Sequence, residues 1–345
     1  MIACRRPLAS LLAAVVVLAA CAPASQAPNP RTPAAGSGGA PPAPARAAVK
    51  INWTAQTGAN SGLWAAFEAG YFKEENLDVE LVNIPSSVRS VAALIGNEVQ
   101  FGFVDGANVT QAVAQGGAVR MVFGITNHLV FSIMVAPSIK TPADLKGKRI
   151  GITTPGSSTH TAALQALKIW GLTDRDVALI PLTEVPNILA GMIANQVDGG
   201  SVSPPTNTRA KKAGFTELIN LATSGPDYPS VAVAANTAFI TTNPDVVTRV
   251  IRAYSRGVSR FRTDKPFGTQ ALGKYLKIDD QSVLDDTWEQ FSKYLELPPY
   301  VKGTELVIQE AAATNAAAKN LKPEDIFDQR FVKQLEDQGF FKNLK

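Results

Sequence analysis

From residue 49 onward the chain alternates between two hydrophobic periods. Val49, Ile51 and Trp53 lie two apart, as in a strand with one buried face; Leu63, Trp64 and Phe67 then recur at helical spacing before Gly70. This pattern predicts further strands at 79–83, 100–104 and 119–125, separated by helices near 86–95 and 107–115. A second series predicts strands near 130–136 and 148–153, a helix at 157–169, a strand at 177–182, a helix at 186–195 and a strand at 197–202. Strands alternating with helices point to parallel α/β sheets.

The second series repeats the first at an offset of 98 residues. Asp78-Val79-Glu80-Leu81-Val82 corresponds to Asp176-Val177-Ala178-Leu179-Ile180, and Gly58 falls opposite Gly156. Ile95, Asn97, Val99, Gly102 and Val104 return as Ile193, Asn195, Val197, Gly200 and Val202. Two related α/β lobes explain this most simply. A loop at 223–230 and an apolar strand at 231–235 follow. Asn243 then reads as an N-cap ahead of Pro244. Val246, Val247, Val250, Ile251, Tyr254, Val258 and Phe261 make one buried helical face, and more helices are expected near 266–276, 280–294, 304–318 and 328–338. The expected division is lobe one at 49–127 plus 240–345 and lobe two at 128–239. The chain then crosses between lobes near 126–130 and near 223–240, a hinge bordering a cleft.

The N-terminus changes the setting. Arg5 and Arg6 precede an apolar run from Leu8 to Ala20, shorter than the roughly 20 residues of a membrane span, so residues 1–20 read as a secretion signal. Leu18-Ala19-Ala20-Cys21 resembles a bacterial lipobox, which implies a lipidated Cys21 and an extracytoplasmic protein held on a membrane surface. Residues 22–48 hold seven Pro, ten Ala and three Gly and no large apolar side chain, a composition that cannot offset its ordering entropy; residues 21–48 are expected to be the lipidated Cys and a disordered tether. Cys4 and Cys21 are the only cysteines, so the folded part has no disulfide and no thiolate nucleophile or thiolate metal site. The net charge of +4 belongs to the leader. Four of the 33 bases (Arg5, Arg6, Arg31, Arg46) precede residue 47, and the remainder match the 29 acids. No basic run with interleaved aromatics points to nucleic acid.

Three segments carry a family resemblance. They are Glu68-Ala69-Gly70-Tyr71-Phe72-Lys73-Glu74-Glu75-Asn76-Leu77; Ala93-Leu94-Ile95-Gly96-Asn97-Glu98-Val99-Gln100-Phe101-Gly102; and Thr141-Pro142-Ala143-Asp144-Leu145-Lys146-Gly147-Lys148-Arg149-Ile150-Gly151 with Pro155-Gly156-Ser157-Ser158. Together they resemble the solute-binding proteins of nitrate, sulfonate, taurine and pyrimidine-precursor importers, over roughly 49–345. The resemblance implies a type II periplasmic-binding-protein fold, with two α/β lobes on a two-strand hinge and a helical C-terminal region. It also implies an ABC permease with its ATPase as partners, a small-molecule solute as ligand, a monomer and no cofactor.

In open α/β sheets a ligand sits beyond the carboxyl ends of the strands, where helix starts offer free N–H groups. The candidates there are Asn60, Ser61, Ser86, Ser87, Asp105 and Asn108 in lobe one, and Ser157, Ser158, Thr159, His160, Glu184 and Ser203 in lobe two. Plain N-capping is the competing role for each hydroxyl and amide. Asp105 and Glu184 complicate an anionic ligand, because an ionised carboxylate in the cleft prefers an amine or N–H donor. Trp64 and Phe67 are expected in the core, His128 is expected to be structural, and Arg89 to be solvated. No metal site is expected, since the two histidines lack ligand spacing. Pyrimidine synthase and desulfinase relatives use this architecture catalytically with Cys and His chemistry; only His160, beside Ser157 and Ser158, offers a base here. A subunit that senses solute without transport is the other alternative.

Overall fold

The computed structural model describes residues 44–344. The expected signal, Cys21 and the expected tether up to residue 43 lie outside them. Ten strands are described: β1 (Ala47–Trp53), β2 (Leu77–Asn83), β3 (Phe101–Val104), β4 (Val119–Thr126), β5 (Ser132–Val135), β6 (Arg149–Ile152), β7 (Ala178–Pro181), β8 (Gly199–Val202), β9 (Thr216–Asn220) and β10 (Val231–Asn236). They form two sheets, ordered β2-β1-β3-β10-β4 and β7-β6-β8-β5-β9. In each, the first three strands are parallel and the fourth runs antiparallel to both neighbours. β1 begins at Ala47, inside the expected tether, because Ala47 already pairs with Leu77.

The 98-residue repeat is visible in the packing. Asn97 and Asn195 both turn the chain in the left-handed region, at φ 56° and 54°, where a short amide side chain is tolerated. Gly102 on β3 lies against Ser90 and Leu94 of the helix Ser87–Ile95, and Gly200 on β8 lies against Ile188 and Met192 of the helix Val185–Ile193. These contacts are equivalent at the same offset. A methyl group on Gly200 would sit 2.2 Å from Ile188 Cγ2, so close helix–sheet contact requires glycine.

The fourth strands are exchanged. β5 follows β4 of the first sheet yet pairs in the second; β10 follows β9 of the second yet pairs in the first. Residues 231–239, expected in lobe two, therefore start with a strand of the first sheet. Val231–Ala235 is a run of small apolar residues inserted between β3 and β4, and it is buried along nearly its whole length. The return crossing is thus 221–230. β9 escaped the hydrophobic pattern: it is an edge strand starting Thr216-Glu217, and its ladder to β5 shifts register at Ile133/Met134.

The helix Pro244–Thr263 buries Val246, Val247, Val250, Ile251, Tyr254, Val258 and Phe261, the face its spacing predicted. A fully buried aliphatic or aromatic side chain contributes about 1.5–3 kcal/mol, so this face is the main anchor of the C-terminal helices on lobe one. It meets the helix Ser61–Glu68 closely, since a Cβ on Gly257 would lie 2.3 Å from the Gly62 carbonyl oxygen. Trp64 is fully buried, stacked on Tyr275 with ring centres 4.9 Å apart. Phe67, one turn on, is partly exposed rather than in the core; the face that meets Pro244–Thr263 runs through Gly62 and Ala66, which lie against Tyr254, Gly257 and Val258.

Candidate functional site

The two crossings run side by side. Tyr228 N donates to Asn127 O (2.8 Å), Ser230 N to Thr126 O (3.1 Å) and Leu221 N to Phe131 O (2.9 Å), a short ladder between the lobes. Buried Asn127 ties it to the C-terminal region: its Nδ2 donates to Tyr300 O (2.9 Å) and its Oδ1 accepts from Lys302 N (2.8 Å). The two sheets are thus joined by a pair of adjacent segments, 127–131 and 221–230.

Beyond the strand ends, the helix starts of the two lobes meet. Asp105 follows β3 and caps the helix Gly106–Ala114, accepting from Ala107 N at 2.8 Å. Its other carboxylate oxygen accepts the Ser158 hydroxyl from lobe two at 2.5 Å. Its own N–H donates to Ser87 Oγ (2.9 Å). Asn108, in the next turn, donates through Nδ2 to the Gly156 carbonyl (3.3 Å), while its Oδ1 is buried without a partner. Four residues expected at the site, Ser87, Asp105, Asn108 and Ser158, thus converge from three segments across the lobe boundary. Asp105 is only 3% exposed, and this burial pushes its pKa up to about 6, helped by the Glu310 carboxylate.

The rest of the lobe-two helix start is bound up with itself. Ser157 caps the helix Ser158–Ile169, accepting from His160 N at 3.4 Å, and its hydroxyl donates to Thr154 O at 2.7 Å. Buried Thr159 accepts from Thr153 N (2.8 Å). His160 Nδ1 accepts from Gly156 N at 3.0 Å, and burial lowers the imidazole pKa, so this ring is neutral at pH 7. In lobe one, Asn60 Nδ2 donates to Ala55 O (2.8 Å) and Ser61 Oγ to Gly58 O (2.6 Å): both buried side chains hold the β1 turn. Ser86 caps the helix Ser87–Ile95 through Arg89 N. Ser203 is buried after β8, and its carbonyl accepts from Thr206 N (2.8 Å). Glu184 precedes the helix Val185–Ile193 but is exposed and makes no capping bond through its side chain.

The closure extends past this cluster. Thr57 Oγ1 donates to Pro204 O (3.4 Å) between lobes. The lobe-two helix Thr206–Lys212 meets the C-terminal helix Gln281–Tyr294 through Thr208–Asp286, Asn207–Gln290 (3.3 Å) and Lys212–Asp280 (2.8 Å). Gln165 of Ser158–Ile169 bonds Glu310 of the helix Thr304–Thr314. Glu310 was not anticipated: burial raises its pKa, and it lies close enough to Asp105 and Tyr228 to act on both. Nor were Thr126 and Ser230 on the crossings and Ser201 on β8, whose hydroxyls are buried without partners. Their one readable sign was a polar residue inside an otherwise apolar strand context. Among the described residues no cluster of His, Asp and Glu converges as metal ligands.

The family model that matches this chain is described as NMT1/THI5 like and spans residues 59–265. The chain belongs to the NMT1/THI5-like family. Within it, the chain is 30% identical over 169 residues to the taurine-binding periplasmic protein of Escherichia coli (strain K12), a match covering 48% of this chain and 52% of that protein. The match spans about half of that relative's length. It is 25% identical over 260 residues to the riboflavin-binding protein RibY of Chloroflexus aurantiacus, covering 71% of each. The alkanesulfonate-binding protein SsuA from Xanthomonas axonopodis pv. citri, solved bound to MOPS, superposes with a TM-score of 0.65 at 22% identity, covering 83% of this chain and 96% of that one. The likeness establishes the type II periplasmic-binding-protein fold that the three sequence segments implied for this NMT1/THI5-like chain.

Proposed function

We propose that this protein is the extracytoplasmic solute-binding component of an ATP-driven importer, which captures a small polar organic solute between its lobes by hinge closure. It is lipidated at Cys21, works as a monomer without a cofactor, and presents the closed form to an ABC permease with its ATPase. One observation carries this reading: two sheets of the same strand order, joined by two crossings, bring Asp105 and Ser158 together from opposite sides of the lobe boundary. The taurine-, riboflavin- and alkanesulfonate-binding functions named for the relatives above support it.

Binding is favoured over catalysis by the side-chain partners. The fold holds no cysteine, His160 Nδ1 accepts from the Gly156 N–H, and the Ser158 hydroxyl donates its hydrogen bond to Asp105, so no serine–histidine pair is set up among the described residues. Purified protein should stabilise with one solute class among taurine, alkanesulfonates, nitrate, pyrimidines and flavins. A true ligand at 100 times its Kd adds about 2.7 kcal/mol. The solute should be recovered unchanged, and scattering should show compaction on binding. Silence across the panel, or turnover, would overturn the reading. For the anchor, labelled fatty acid should enter the wild-type chain and not Cys21→Ser.

A further inference from the structure

We propose that the solute presents a hydrogen-bond donor to lobe one, a protonated amine or a ring amino group, and that Asp105 and Asn108 are the acceptors that take it. This rests on the solute-binding reading and names the ligand chemistry of that same cleft. Asp105 is almost fully buried, yet its partners are neutral donors, the Ala107 and Asn108 backbone N–H groups and the Ser158 hydroxyl. None supplies a positive charge. Around it, Glu310 faces it from the helix Thr304–Thr314 and Tyr228 from the return crossing, and Lys168 acts on Glu310 rather than on Asp105. A buried carboxylate is normally retained only with a paired charge or a full set of donors. Here the balancing charge is absent among the described residues, and a second carboxylate makes the ground more acidic.

Only the side-chain donor to Asp105 belongs to the moving lobe. When the hinge opens, the Ser158 hydroxyl leaves with lobe two, and one carboxylate oxygen loses its partner. A solute N–H of similar reach can take that place. Asn108 supplies the second contact: in the closed form its Nδ2 is held by the Gly156 carbonyl of lobe two while its Oδ1 is a buried acceptor without a donor, and opening the hinge frees the amide to turn that oxygen to the solute. Two acceptors three residues apart, at the start of one helix, match a group with two or three N–H bonds. A sulfonate or carboxylate in that place would meet oxygen lone pairs and like charge; such a group belongs at the other end of the solute.

The test uses matched pairs that differ by the amino group: taurine and ethanesulfonate, 4-aminobutyrate and butyrate, 4-aminopyrimidine and pyrimidine. Each is titrated calorimetrically at pH 7.5 into the full chain and into Asp105→Asn. Asn preserves the helix cap; Asp105→Ser, also a capping residue, is the second variant, and melting curves check that both fold. The expected result is one pair whose amino member binds at least tenfold more tightly. Both variants should erase that preference, bringing the two members of the pair within threefold of each other. Binding of a pair with no preference for its amino member, or a preference that survives both variants, overturns the inference and leaves the solute-binding reading intact. No binding by any member overturns the solute-binding reading itself.

Discussion

Replacing Asp105 by Asn should make the unliganded protein more stable at alkaline pH and not at acidic pH. The native carboxyl holds its proton up to about 6, against 3.8 for an ordinary aspartate, mainly because burial disfavours the charge. The sign follows from which state holds the proton. Below pH 4 both states are protonated and no penalty exists. Between 4 and 6 the unfolded chain has released its proton while the folded chain retains it, so stability falls as pH rises. Above 6 the full penalty stands. A displacement of roughly two pH units, already net of the hydrogen bonds that favour the charged form, corresponds to a gain of about 3 kcal/mol. Asn keeps the Ala107 cap, so the helix Gly106–Ala114 is not compromised. For a protein of this size that gain raises the melting temperature by a few degrees. Scanning calorimetry of both proteins at pH 8 and pH 4, without solute, measures it. A variant equal to or weaker than wild type at pH 8, or a difference that does not change with pH, would refute the reasoning. Confirmation would mean that the native residue is kept against stability, as expected of a group retained for its ligand.

Three further outcomes are expected. Ser158→Ala removes the direct Asp105 bond between lobes, so the unliganded radius of gyration should rise; an unchanged radius would show that this contact does not hold the lobes together. Gly200→Ala forces a methyl group against Ile188 and should cost about 1–3 kcal/mol in denaturant unfolding, and wild-type stability would contradict the close packing. His160, held neutral by burial with its Nδ1 accepting from Gly156, should titrate below 6.5 by NMR, whereas a midpoint above that value would contradict the acceptor role.

The repeat was legible because it is written locally. Asn97 and Asn195 mark left-handed turns, and Gly102 and Gly200 mark places where a helix presses on a strand; both demands fall on single residue types at one spacing. The same locality exposed Asp105 and Ser157 as helix caps and Ser158 as the first residue of its helix. Asn60 and Ser61 carried the same signature, but their side chains serve their own turn, and capping chemistry cannot tell the two fates apart. The sheet to which Val231–Asn236 belongs was hidden, because small apolar residues suit a central strand of either sheet. Glu310 was hidden for another reason: it lies 205 residues beyond Asp105, and its partnership depends on how the C-terminal helices wrap back.

The exchange of fourth strands bears on the order in which the molecule can be assembled. β10 lies between β3 and β4, so the first sheet is not complete until residue 236 is available. A nascent chain halted after the first five strands therefore carries an incomplete layer with two open edges. Proteolysis between the halves is expected to leave neither as a self-sufficient fragment, and swapping one half between relatives should succeed only when the borrowed piece brings its reciprocal strand.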